Sequence, residues 1–115
     1  MTLWVCKGGK RGERESRFIE NNLIAIGFGL LNNDLAGIKS KVELESLYEK
    51  VWPDASEGRK RNHVGQVYAF LRNVKIGDLV VVPMKTSGTI WIGKIESEYK
   101  YRTDLGADMQ HTRSV

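Results

Sequence analysis

The sequence predicts an α+β domain in which a small twisted mixed sheet closes into a barrel, with helices packed outside it. Three observations carry this expectation. β-prone segments stand towards both ends of the chain, helical patterns fill the middle, and 115 residues leave room for a single core.

The elements follow in order. Leu3-Trp4-Val5-Cys6 is bulky and β-prone, and opens the chain as a strand. Lys7-Gly8-Gly9-Lys10-Arg11-Gly12 is a glycine-rich basic loop, and Glu13 to Asn21 a short helix with Phe18 and Ile19 as its apolar residues. Leu23-Ile24-Ala25-Ile26, apolar on both faces, is a buried strand. It runs into Gly27-Phe28-Gly29, an aromatic on a backbone free to bend sharply.

Ser40 to Val51 is the clearest helix. Ser40 and Glu43 form a capping box, Leu44, Leu47, Tyr48 and Val51 make one apolar stripe, and Pro53 follows as a stop. A second helix starts after Ser56 and runs to about Asn73, with Val64, Val67, Leu71 and Val74 on one face. Lys75-Ile76-Gly77-Asp78 turns into the β-branched strand Leu79–Val82. Thr86-Ser87-Gly88 then turns into Thr89–Ile95, with the spacing of a hairpin. Glu98 to Arg102 continues as a strand, and from Thr103 onwards the polar composition reads as loop. An apolar final strand is missing, which suggests a truncation at Val115 or a strand completed by a longer protein.

Composition narrows the function. A hydrophobic share of 41% and a charged share of 28% are ordinary for a folded domain. No apolar run approaches the roughly 18 residues of a membrane span, and the first residues lack the pattern of a signal peptide. The single cysteine cannot form an internal disulfide, which fits a reducing cytoplasm. A net charge of +4 suits a polyanionic partner without requiring one.

Enzymatic chemistry finds little material. Cys6, His63 and His111 have no zinc spacing, and no cofactor motif is present. Cys6 sits in an apolar strand, where an inert buried thiol is expected. The glycines at 8, 9 and 12 are not followed by the Gly-Lys-Ser/Thr of a phosphate loop. The expectation is therefore a non-catalytic chain without cofactor or metal.

Nucleic-acid binding fares better. Lys7, Lys10, Arg11 and Arg14 cluster in the first loop, and Arg59, Lys60 and Arg61 open the long helix. Such groups neutralise phosphates and make affinity salt-dependent. The bland alternative is a solvated basic surface, since Glu13, Glu15 and Glu57 lie close by. Phe28 between glycines at a strand end is placed as a pocket wall, while Trp4 and Trp91, in strands, also suit the core. Trp52 before Pro53 suits either role. Tyr99 and Tyr101 alternate with Lys100 and Arg102, a pattern shared by base-stacking surfaces and ordinary amphipathic strands.

Several segments together carry a resemblance. They are Leu3-Trp4-Val5 with the basic loop, Ile26-Gly27-Phe28-Gly29, Asn62-Gly65-Gln66 with Phe70, and Lys75-Gly77-Asp78-Leu79-Val80-Val81-Pro83. Ile92-Gly93-Lys94-Ile95, Tyr99-Tyr101 and His111-Thr112-Arg113 follow in order. The chain resembles the domain that precedes Mrr-type restriction nucleases, and in kind the EVE, YTH and ASCH members of the PUA-like superfamily. The resemblance implies a single PUA-like barrel over residues 1–115, the N-terminal specificity module of a longer protein with a C-terminal nuclease domain. Its partner would be duplex DNA bearing a modified base, flipped into an aromatic pocket.

The base pocket so implied comprises Gly27, Phe28, Gly29, Trp4, Trp52, Asn62, Gln66 and Lys85, with Lys7, Lys10, Arg11, Arg59, Lys60 and Arg61 on phosphates. Relatives usually carry Trp where Phe28 stands; Phe28 is a smaller platform with no indole N–H, which leaves the identity of the ligand open. Asn62 and Gln66 suit a base edge and a helix brace equally. An RNA-binding PUA-like domain and a sensor of small molecules or proteins stand as alternatives.

Overall fold

The computed structural model describes residues 2–27 and 33–115. The described residues form an α+β fold of three α-helices and two three-stranded sheets. The first sheet holds β1 (Leu3–Val5), β3 (Leu79–Pro83) and β4 (Ile90–Lys94). β1 lies parallel to β3 with Leu3 opposite Leu79, and β3 pairs antiparallel with β4. The β-branched run of β3 suits this central place, and its alternation turns Val80 and Val82 into the core. Leu3, Val5, Ile90 and Ile92 stand exposed on the opposite face of the sheet.

The second sheet holds β2 (Leu23–Ile26), β6 (His111–Ser114) and β5 (Lys100–Tyr101), in that order and all antiparallel. α1 (Glu15–Asn21) precedes β2 and ends on Asn22, whose φ of 51° turns the chain in the left-handed conformation. α2 (Lys41–Val51) and α3 (Glu57–Tyr68) pack on each other over a satellite core of Leu35, Leu44, Tyr48, Val64, Val67 and Leu71. Ser40 and Ser56 cap these two helices, accepting from the backbone N–H of Glu43 and Arg59. The main core lies between the sheets and gathers Phe18, Leu23, Ile24, Phe70, Val80, Val82, Ile95 and Met109.

Three expectations need correction. The tail beyond Thr103 is not all loop: His111–Ser114 is the middle strand of the second sheet. Its side chains are polar, yet His111, Thr112 and Arg113 are buried. Most of their polar atoms find partners inside, Arg113 Nη2 excepted among the described residues. Tyr99 Oη and His111 Nδ1 lie 2.7 Å apart, and Thr112 Oγ1 donates to Lys100 O at 2.9 Å. Arg113 donates to the carbonyls of Ser97, Phe70 and Val74 at 2.8–3.0 Å. Buried polar groups are tolerated when so partnered, and a search for apolar runs passes over such a strand.

The long helix is also not continuous to Asn73. α3 gives way to a π-helical turn over Ala69–Asn73, closed by Val74 N–H donating to Ala69 O at 2.9 Å. Arg113 takes up the carbonyl of Phe70 within that turn. Finally, strand pairing does not close the described strands into one ring. The sheets meet on one side, where Glu96 N–H donates to Ser114 O at 2.9 Å. On the other side β1 and β2 part around a cavity.

Candidate functional site

The cavity measures about 700 Å³. Trp4, Val5 and Cys6 form one wall, Ile24 to Gly27 another, and Ala69 and Phe70 of the π-helical turn line it together with Val80 and Ile95. Its polar lining is one-sided. Lys7, Lys10, Arg14 and Lys85 contribute positive charge, Gln66 contributes an amide, and no Asp or Glu stands among the lining residues described. In a partly enclosed space those charges act through a medium less screening than water, so the site favours an anion or a ligand rich in acceptors.

Two carboxylates outside the cavity build its rim. Glu15 is buried and accepts from Lys85 N–H at 2.8 Å, Thr86 N–H at 3.3 Å and Thr86 Oγ1 at 2.8 Å. The hydrogen bond from Lys85 leads in holding its carboxyl below the ordinary range. This bond set ties the β3–β4 hairpin to the start of α1. The glycine-rich loop folds around the same group. A side chain at Gly8 or Gly12 would run into Glu15, and Gly12 also has a φ of 77°. The glycines thus serve close packing on a carboxylate rather than the cradling of a phosphate. They leave Lys7, Lys10 and Arg11 exposed on the loop surface. Lys85 Nζ in turn donates to Lys10 O.

Asp78 fixes the other wall. It accepts from Trp4 Nε1 at 2.8 Å, Lys75 N–H at 2.9 Å and Thr2 N–H at 3.1 Å. The indole bond leads in pulling its pKa from 3.8 to about 2. Trp4 is therefore both anchored and half-buried at the cavity, its indole N–H tied to Asp78. Beside it, burial pushes the Cys6 thiol up to about 11, against the opposing charge of Arg14. A thiol so raised stays protonated at neutral pH, which removes thiolate chemistry from this wall.

Arg14 is the residue that the sequence reading left out of the pocket. Its guanidinium lies against Gly27, where any Cβ would strike Cζ and both terminal nitrogens. Arg14 Nε is buried and has no hydrogen-bond partner among the described residues. Its place follows from the loop fold around Glu15, a three-dimensional fact that one-dimensional spacing does not carry.

The expected site residues separate into groups. Trp4, Gly27, Gln66, Lys85, Lys7 and Lys10 line the one cavity. Asn62 does not line it but accepts from Gln66 Nε2 at 3.3 Å, bracing the amide one turn ahead. Trp52 and Arg59 line a different, smaller hollow with Val51 and Pro53, and Trp52 lies tilted against Tyr48, 4.6 Å between ring centroids. Lys60 is held by Glu49 at 2.7 Å and Glu57 at 3.1 Å, which leaves little of its charge for a ligand. Arg11 and Arg61 are exposed and line neither cavity. Phe28 and Gly29 lie outside the described residues.

Among the described residues no helix is long and apolar enough to cross a membrane. The family model described as Domain of unknown function (DUF8426) matches residues 4–115, and the chain belongs to that family. Neither a curated protein nor a solved structure matches it.

Proposed function

We propose that this member of the DUF8426 family is a non-catalytic nucleic-acid-binding module whose cavity between β1 and β2 receives one base. Its target on this reading is duplex DNA carrying a modified base. The observation that carries it is the cavity lining: about 700 Å³, an anchored Trp4 in one wall and, among the described residues, four cations and no carboxylate. Extruding a base from a duplex costs a few kcal/mol. Stacking on one aromatic contributes about 1–3 kcal/mol, and the cations supply a salt-dependent remainder.

The fold is compatible with an open PUA-like barrel. Two sheets joined along Glu96–Ser114 and parted at β1 and β2 support that reading. The resemblance adds the expectation of an attached nuclease, for which this chain would supply specificity.

Binding to matched short duplexes tests the reading, with plain cytosine and adenine compared with their methylated and hydroxymethylated forms at two salt concentrations. A preference for one modified duplex is expected, and Phe28→Ala should weaken it. Equal binding to every duplex would leave only a basic surface. Tighter binding to single-stranded RNA in competition would move the site to an RNA ligand.

A further inference from the structure

We propose that the outer face of the β1–β3–β4 sheet is where two copies of this chain pair, sheet face against sheet face, about a two-fold axis. The inference stands apart from what the cavity binds. It starts from the strand register. Leu3 lies opposite Leu79, Val5 opposite Val81, Val81 opposite Ile92, and Pro83 opposite Ile90. Cross-strand partners point to the same side of a sheet, and every second residue along a strand joins them. These residues therefore form one continuous apolar face, three strands wide. Leu3, Val5, Ile90 and Ile92 are 61–65% exposed on it, and the β3 residues between them are half-buried. Among the described residues the other exposed large apolar side chains, Ile19 and Val42 on helices and Ile76 in a turn, lie outside this sheet. Such scattered residues are ordinary, whereas a continuous face is not.

Area, charge and shape name the partner. An Ile, Leu or Val so exposed offers roughly 100 Å², so the face holds on the order of 500 Å² of apolar surface. That is the upper end of what a monomer leaves in water. Two such faces buried on each other remove about 1,000 Å², the least that a specific interface needs. Of the residues that share the face through the register, Lys94 alone is charged, and it stands at a corner opposite Leu79. The chain is 28% charged, yet this face has no carboxylate for a cationic partner and a single cation for an anionic one. It can meet itself, because pairing an uncharged face with its own copy brings no like charges together at the centre. Sheets pack face to face by interdigitating alternate residues, the pattern these three strands present. A two-fold pairing of one face also closes at two copies.

Sedimentation equilibrium of the whole chain tests this. The mass should rise from 13.0 kDa towards twice that value as concentration passes through the micromolar range. Added salt should leave the dimer in place or strengthen it, since apolar burial is not screened. Ile92→Glu, beside the central Val81, enters twice by symmetry and should hold the chain monomeric at every concentration. Ile90→Thr keeps a residue suited to a strand and should weaken pairing about tenfold. Val42→Glu replaces an equally exposed apolar residue on α2 and should change nothing. Circular dichroism of all three should match the natural chain, because each replaced side chain stands in solvent in a single copy.

A natural chain that stays monomeric throughout would overturn the inference, and a monomer that binds lipid vesicles would assign the face to a membrane instead. Pairing that survives both sheet substitutions, or that yields to Val42→Glu or to salt, would overturn it as well and move the contact elsewhere. Where Ile92→Glu fails to fold, Ile90→Thr decides: a dissociation constant unchanged from the natural chain sinks the proposal.

Discussion

Arg113 and Arg14 each carry a guanidinium below the surface, and the chain treats them in opposite ways. Arg113 is fully buried, and its Nε and Nη1 donate to three carbonyls, one of them inside the π-helical turn. Arg14 lines the cavity, with its Nε buried and unpartnered among the described residues. Burial pulls the pKa of Arg113 below the usual guanidinium range, since its partners are dipoles rather than carboxylates. The contrast separates an arginine whose donors tie three carbonyls of the core from one that lines the cavity, and each keeps one buried nitrogen without a partner among the described residues, Nη2 in Arg113 and Nε in Arg14. A buried donor that finds a carbonyl stabilises one packing, whereas a buried donor left without a partner costs about 1–3 kcal/mol.

The sharpest way to break the contrast is Arg113→Met. It leaves the carbonyls of Ser97, Phe70 and Val74 buried without their donor, and urea unfolding should show a loss of about 3–5 kcal/mol. A loss below about 1 kcal/mol would mean that the π-helical turn does not depend on Arg113. Arg14→Gln, by comparison, should leave the unfolding midpoint in place.

A second prediction concerns pH. Asp78 has its pKa lowered from 3.8 to about 2 in the folded chain, so its ionised form is the one folding favours. The stability it contributes is complete above about pH 4 and is lost as pH falls towards about 2. Thermal unfolding followed across that range should show the decline, and Asp78→Asn should flatten it while freeing the Trp4 indole N–H. An unchanged profile in Asp78→Asn would assign the acid sensitivity to other carboxylates, Glu15 first among them.

Smaller effects distinguish the cavity rim from the remote basic surface. Lys10→Ala should weaken binding to every duplex alike and lower the salt slope by about 1, measured by titration at several salt concentrations. Arg59→Ala, at the separate hollow beside Trp52, should do the same to a lesser degree and leave base preference untouched. A loss of preference in Arg59→Ala would move the ligand to that hollow.

Much of the fold was legible in the sequence because it follows from local rules. β2 follows from an apolar run, α2 from the Ser40 cap and its stripe, and the β3–β4 hairpin from β-branched residues around Thr86-Ser87-Gly88. β6 was illegible for a physical reason: His111, Thr112 and Arg113 are polar, and only distant carbonyls and Tyr99 explain their burial. The π-helical turn was hidden for the same reason, since Arg113 lies 43 positions from the Phe70 carbonyl it answers.

The site divides likewise. Trp4, Gly27, Gln66 and Lys85 line one cavity, while Trp52 packs on Tyr48 and Lys60 is taken by two glutamates. Glu15 shapes the rim through hydrogen bonds to residues 70 or 71 positions away, a role invisible in a basic loop read as a string of charges.

The central claim is that the cavity between β1 and β2 holds the base. Amide and indole N–H spectra of the labelled chain, titrated with its best-bound duplex, test it directly. The account predicts the largest shifts at the Trp4 indole, Cys6, Gly27 and Gln66, all of which line the cavity. Shifts confined to Arg59 and Arg61, with the cavity resonances unmoved, would contradict it.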